Sequence, residues 1–220
     1  MLATTDQYRY YRSLVKYLKK LYINSKYIYF EQNNILYEHQ YGFKKHKSTV
    51  QALLNHMQFM YDGIDSGNFV ISVFLDFKKE FDTVDHKILL SKFDFYGIRG
   101  VSLEFLKSYL SERNQITVID GITSSSSLTS HGVPQGSVLG RLLFLLFIND
   151  LPNSSSLFKF ILFADDSTLS TSFAEENALE CTLTLNHELY NVNNYLTLNR
   201  ICINADKTKY MIFSYRNYYI

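Results

Sequence analysis

Tryptophan is absent from the 220 residues, and cysteine occurs twice, at positions 181 and 202. Two cysteines at that spacing make neither a disulfide framework nor a zinc motif, and a reducing compartment is the default reading. A strong charge of either sign is also missing. Lys and Arg total 22 against 21 Asp and Glu, a formal net charge of +1. Composition alone therefore does not point to a polynucleotide partner, since many nucleic-acid-binding domains are strongly basic. No long apolar run exists. The longest, Val138 to Ile148, is interrupted by Gly140 and Arg141 and is too short to span a bilayer, so it reads as a buried helix. The N-terminus lacks a secretory apolar core. Internal repeats and long linkers are missing too, and Ser124–Ser127 is only a short polar loop.

What is present is a globular core. Hydrophobic residues make up 46%, and Tyr and Phe supply 18 and 17 residues, a load that argues against disorder. The length suits one large domain or two intimate subdomains. The few excess cations are unevenly spread. Before residue 50 lie Arg9, Arg12, Lys16, Lys19, Lys20, Lys26, Lys44, Lys45 and Lys47, against Asp6, Glu31 and Glu38. This is either a basic binding surface or a solvated helix face.

Periodicity predicts amphipathic helices over 13–31 and a helix over Val50–Tyr61, capped by Ser48-Thr49 with Ala52, Leu53, Met57 and Met60 inward. Phe69–Leu75 (FVISVFL) reads as a buried strand. Helices are expected at His86–Tyr96, stopped by Gly97, at Leu103–Leu110, capped by Ser102, and at Val138–Ile148. Gln115–Ile119 and Ser127–His131 look like strand pieces. Phe158–Phe163 and Thr168–Ser172 read as a strand and its return, followed by a helix over Ala174–Leu196. A last strand pair is expected from Ile201–Ile203 and Tyr210–Phe213. The mixture predicts an α+β fold.

Two features carry chemistry. Asp76 ends an apolar strand, and Asp165-Asp166 occupy the turn between two others. Neighbouring strands would gather all three carboxylates at one sheet edge. Such carboxylates repel each other unless a divalent cation intervenes. Oxygen-only ligands suit Mg²⁺, and a pair of such ions can clamp both oxygens of a phosphoryl transfer. A lone Asp at a strand end is more often a turn residue, so the carboxylates by themselves leave function open.

The surrounding residues are more specific. VFLDFKKEFDTVDHKILL resembles motif A of reverse transcriptases as LINE-like elements write it, and HGVPQGSVLGRLLFLLFINDLP resembles motif B. FILFADDSTL is similar to motif C, with its aromatic-Ala-Asp-Asp turn. LNHELYNVNNYLTLNRICINADKTKYMIF resembles the following helix and motif D, and ILYEHQYGFKKHKSTVQAL the fingers motif upstream of A. Five motifs in the family's order, over about residues 14–213, make the chain similar to the reverse transcriptase domain of non-LTR retrotransposons of the LINE-like, jockey/CR1 type.

That resemblance implies a polymerase right hand with partial fingers over 1–68 and a palm over 69–220. The palm would be an antiparallel sheet backed by helices, with a fingers-like insertion around 97–130 and the thumb and endonuclease absent from this stretch. It implies RNA-directed DNA polymerase activity, with RNA template, DNA primer and dNTPs as partners and no membrane. The cofactor would be two Mg²⁺ ions, Mn²⁺ being the substitute, and the setting nucleus and cytoplasm. Asp76, Asp165 and Asp166 would be the metal-binding triad, joined by the Phe77 carbonyl. Phe81 would be the steric gate against ribose, and Gln135 and Gly136 the loop touching nucleotide and template. Lys44 and Lys47 would neutralise the triphosphate, and Lys207 would act as general acid toward pyrophosphate. There are departures. Glu80 stands for a usual Ala, Arg141 for a Pro, Tyr195 for a Trp, and the Arg-Pro-Ile-Ser segment expected before Leu14 is missing or scrambled. They keep open a degenerate palm that at most binds nucleic acid.

Overall fold

A computed structural model of the chain describes residues 29–111, 113–134, 137–174 and 178–215. The helices expected over 13–31 lie almost wholly outside them. The structure is built on a four-stranded antiparallel sheet in the order β6-β7-β1-β8. Strand β1 (Asn68–Leu75) is central. It pairs with β7 (Asp166–Ala174) on one side and β8 (Lys209–Phe213) on the other, while β6 (Lys159–Phe163) pairs with β7.

The apolar run of β1 follows from its double burial, because alternate side chains of a strand point to opposite faces. Ile71, Val73 and Leu75 face the main core, with Phe160, Leu162 and Leu169 of the neighbouring strands. On the other face lies helix α1 (Thr49–Asp65). Its N-terminus is set by a capping box, in which the Ser48 hydroxyl accepts from the Gln51 amide and the Gln51 side chain accepts from the Ser48 amide. The face that α1 turns to the sheet matches the expected one in part: Ala52, Met57 and Met60 are half-buried, but the fully buried positions are others. His56 and Gly63 are buried, while Leu53 is 58% exposed. The reason is contact distance. A Cβ on Gly63 would come within 2.5 Å of Val70 Cγ2, so helix and strand meet at the glycine. His56 Nδ1 lies 3.3 Å from Ser170 Oγ, itself 2.9 Å from Ser72 Oγ, a polar chain closed inside this layer.

The main core is filled by α5 (Val138–Ile148), in which every described side chain from Leu139 to Ile148 except Arg141 is buried. Around it pack α3 (His86–Phe95), α4 (Val101–Leu110) and α6 (Ala178–Leu198). A buried lysine ties three of these helices. Lys92 Nζ on α3 donates to the Phe147 carbonyl at 2.6 Å, to Asp150 Oδ1 at 2.5 Å and to the Tyr195 hydroxyl of α6 at 3.0 Å, and the Tyr195 hydroxyl donates to the same Asp150 oxygen. Tyr195, which stands where the resemblance leads one to expect Trp, is thus a hydrogen-bonding member of the staple. The short helix α2 (Glu80–Thr83) joins β1 to α3.

Three local expectations are corrected. Ser102 does not cap α4, which begins at Val101 after Gly100 at φ 59, with no side-chain cap bond. Ile201–Ile203 is not a strand: Ile203 makes a single bridge to Phe77, and Tyr210–Phe213 pairs with β1 instead. The α6 helix starts at Ala178, because β7 runs on to Ala174. The segment between α4 and α5 forms two short ladders. Arg113–Gln115 (β2) pairs with Ser127–Thr129 (β5), and Val118–Ile119 (β3) with Ile122–Thr123 (β4). No helix of the described residues is long and apolar enough to cross a membrane.

Candidate active site

The β1–β7 register decides where the carboxylates meet. Leu75 lies opposite Ser167, so Asp76, the next residue after β1, falls beside the start of β7 at Asp166. On the other side of β7, Phe163 pairs with Asp166, leaving only Ala164 and Asp165 in the β6–β7 turn. Asp76, Asp165 and Asp166 line one open cavity of about 640 Å³, together with Phe77, Lys78, Lys79, Glu80, Asn204 and Lys207.

Electrostatics report the crowding. Burial, then the charges of Asp165 and Asp76, raise the Asp166 carboxyl above its ordinary value. Glu80 is raised too, by burial first and then by Asp165 and Asp76, with a side-chain hydrogen bond to Asp165 adding to the effect. Among the described residues no ion pair joins Lys78, Lys79 or Lys207 to these acids, so three cationic side chains line the cavity beside the carboxylates.

The Asp76 end of the cavity is held by the loop after α6. The Asn204 amide donates to the Asp76 carbonyl at 2.8 Å, the Lys78 amide to the Cys202 carbonyl at 2.9 Å, and the Asp76 amide to Thr208 Oγ1 at 3.3 Å. None of these bonds uses the Phe77 carbonyl. They close the 202–208 loop over the strand end and bring Lys207 into the lining. Asn204 and Thr208 were not singled out from the sequence. Their signal, an Asn and a Thr around a turn, is too common to read.

Other expected site residues lie elsewhere. Phe81 is buried in α2, its ring centroid 4.7 Å from that of Phe144, and it is not among the lining residues. Lys44 and Lys47 line a second cavity of about 790 Å³ with Tyr37, Tyr96 and Asn149. Burial, then Lys47, lowers the Lys44 ammonium from its ordinary value, and Lys47 Nζ stands 4.8 Å over the Tyr41 ring. Gln135 and Gly136 lie outside the described residues. Immediately after them Ser137 caps α5, its hydroxyl accepting from the Gly140 amide at 2.9 Å.

The segment that leads into 135–136 is anchored by Asp85. This carboxylate caps α3 by accepting the Lys87 and Ile88 amides, and its second oxygen faces Arg200 Nη1 at 2.7 Å and His131 Nε2 at 3.6 Å. The Gly132 amide donates to Val84 and the Val133 amide to Phe81.

Could the acids hold a cation? The donors are oxygens only, and the raised Asp166 carboxyl marks a repulsion that a divalent ion relieves. Among the described residues no group of three or more His, Cys, Asp or Glu side chains closes into a metal cage. Mg²⁺ does not require one, because it binds through one or two carboxylates and completes its shell with water and substrate phosphate.

An antiparallel sheet backed by helices, with acids gathered from the end of its central strand and from an adjacent hairpin turn, is a polymerase palm. The family model "Reverse transcriptase (RNA-dependent DNA polymerase)" matches residues 3–217. The chain belongs to the reverse transcriptase family, whose members use divalent metal ions. It is 28% identical over 211 residues to the RNA-directed DNA polymerase from the mobile element jockey of Drosophila melanogaster, covering 93% of this chain and 23% of that protein. To the probable RNA-directed DNA polymerase from transposon BS of the same fly it is 34% identical over 146 residues, 64% of this chain and 15% of that protein. The chain thus spans less than a quarter of the length of these curated relatives. The fold resembles telomerase from Candida Tropicalis in complex with a fragment of telomeric RNA, with a TM-score of 0.67 at 12% identity, over 96% of this chain and 36% of that one. The apo form truncated from its C-terminal domain matches at a TM-score of 0.60 and 14% identity, over 94% and 42%.

Proposed function

We propose that this chain is the polymerase core of a non-LTR retrotransposon reverse transcriptase, adding deoxynucleotides to a DNA primer on an RNA template. The observation that carries the reading is the meeting of Asp76, Asp165 and Asp166 in one open cavity. Residues 1–68 are read as partial fingers and 69–220 as palm, with a fingers-like insertion around 97–130. In the reaction the primer 3′-hydroxyl gives up its proton to solvent and its oxygen attacks the α-phosphorus of a dNTP. A new P–O bond forms, the bond to the β-phosphate oxygen breaks, and pyrophosphate leaves.

Asp76, Asp165 and Asp166 would hold two Mg²⁺ ions, with Mn²⁺ as a substitute and the Phe77 carbonyl as a further ligand. When bound, the ions neutralise charge on the triphosphate and on the attacking and leaving oxygens. The chain's own groups do the rest. Lys207, in the cavity lining, donates a proton to the departing pyrophosphate, and Lys78 and Lys79 add positive charge near the phosphates. Phe81 limits room at the sugar, Gln135 and Gly136 contact nucleotide and template, and Lys44 and Lys47 attract the triphosphate or the template backbone. RNA template, DNA primer and dNTPs are the partners, alongside the other parts of a longer polyprotein, acting in nucleus and cytoplasm.

A second reading, a palm that binds nucleic acid without catalysis, is favoured by one observation. Glu80 places a fourth carboxyl against Asp165. Primer extension decides between them. The expected result is RNA-templated dNMP incorporation that disappears in Asp165→Ala. Nucleic-acid binding without incorporation, unchanged by that substitution, would favour the second reading.

A further inference from the structure

The catalytic turn is not held by its hairpin alone. Ala164 occupies its first position at φ 59, a backbone region that hairpin turns usually give to Gly or Asn. Something outside the hairpin must keep it there, and the loop before α1 lies against it. The Leu162 amide donates to the His39 carbonyl at 3.0 Å and the Tyr41 amide to the Leu162 carbonyl at 2.7 Å, a parallel bridge on the outer edge of β6. This bridge sets Gln40 beside the turn with 1% of its surface exposed. Gln40 Oε1 accepts the Gly42 amide at 2.8 Å and the Ala164 amide at 3.0 Å. Both donors are backbone N–H groups, so the side-chain oxygen, not the nitrogen, faces them. Two residues on, a Cβ at Gly42 would stand 2.2 Å from the Ala164 nitrogen. Loop and turn are in backbone contact, and only glycine permits it.

The other end of the Gln40 amide is informative. Its Nε2 is buried and has no hydrogen-bond partner among the described residues. Stability alone would select against a buried orphan donor. An apolar residue of similar volume removes that donor but leaves the Gly42 and Ala164 amides unpaired. Asn is one methylene short. Glu offers the same acceptor but buries a charge beside Asp165. The retained amide thus makes sense as a device for holding one backbone N–H in place.

We propose that Gln40 is a positioning residue for the catalytic turn: its buried oxygen fixes the Ala164 amide and so sets the direction of the Asp165 carboxylate. The proposal rests on reading Asp165 as a metal ligand. Gln40 touches neither substrate nor metal and acts through Ala164. It makes the loop that carries Lys44 and Lys47 and the turn that carries Asp165 one rigid piece.

The test uses the full chain as Gln40→Met, with similar volume and no acceptor, and Gln40→Glu, which restores the acceptor. Three readouts are taken: hydrogen exchange at the Ala164 amide by NMR, Mn²⁺ affinity by electron paramagnetic resonance, and the thermal midpoint. In Gln40→Met, Ala164 exchange should accelerate by more than the change in the midpoint explains, and Mn²⁺ affinity should fall by about tenfold, the usual effect of losing an outer-shell partner. In Gln40→Glu the Ala164 protection should largely return. Unchanged Ala164 exchange in Gln40→Met overturns the proposal, as does faster exchange with unchanged Mn²⁺ affinity. A parent chain that binds no Mn²⁺ refutes the reading of Asp165 as a ligand, and with it the role of Gln40 in aiming that ligand.

Discussion

Asp85 satisfies two helix amides with one oxygen and meets Arg200 and His131 with the other. Burial alone would raise this carboxyl, but the Ile88 and Lys87 amides and the neighbouring Arg200 and His131 outweigh it, and the net shift is downward. A carboxyl that is more acidic folded than unfolded stabilises the fold above its unfolded value, about 3.9, and that contribution is lost as pH falls through the lower folded value. Replacing it by Ala removes the cap and should cost about 1 kcal/mol for that bond, with more for stranding groups around a buried site. Asp85→Asn keeps a capping oxygen and should cost less at neutral pH. Its urea midpoint should also vary less with pH below 4 than the parent's, which circular dichroism can follow. If both variants show the parent's acid sensitivity, the carboxylate is not what sets it.

The family resemblance casts Phe81 as a gate, and its ring lies against Phe144 in the core. The two roles separate experimentally. Phe81→Ala should lower stability by about 3–5 kcal/mol, as emptying a core site does. If the ring also crowds the sugar, the ratio of kcat/KM for rNTP over dNTP should rise in Phe81→Leu, which keeps most of the volume. An unchanged ratio would leave packing as its whole role.

Among the elements, the connection from α2 to the loop before α5 depends on one glycine. Gly132 has φ +85, and a Cβ there would come within 2.8 Å of the Asp82 carbonyl oxygen. Gly132→Ala should therefore destabilise by roughly 1–3 kcal/mol, from backbone strain and the lost close approach. It should also loosen the Gly132–Val84 and Val133–Phe81 bonds. Faster exchange of these amides relative to the rest of the chain is the check.

The elements that sequence could reveal were those whose burial is set locally. β1 announced itself by an apolar run, α5 by another, and the cap at Ser48 by its own side chain. The inner face of α1 was legible only in part: Leu53 is exposed, and a close approach to Val70, not hydrophobicity, makes Gly63 an inner residue. Ile201–Ile203 had a strand's composition, yet the place beside β1 is taken by β8. In the site, the three acids were legible because motif spacing fixes them. Gln40 was not, because its importance lies in a backbone amide more than a hundred positions away.

For the molecule as a whole, a net charge of +1 limits how firmly a nucleic-acid backbone can be held. Protein affinity for duplexes comes largely from Lys and Arg at phosphates and falls linearly on a log scale with salt. Primer extension by this chain should therefore be confined to low ionic strength, with Asp165→Ala as the blank. Processive synthesis that persists at about 150 mM salt would mean that the cationic residues are concentrated on one face more effectively than the total suggests.

The β1–β7 ladder joins segments about ninety positions apart in the chain. The β6–β7 hairpin, in contrast, closes on two residues. During folding, the β6–β7 hairpin that carries the adjacent Asp165 and Asp166 can close within microseconds, whereas Asp76 reaches them only after a long loop has been closed. The carboxylates remain divided between two distant parts of a newly made chain until the β1–β7 ladder forms, so cation affinity itself would report that pairing.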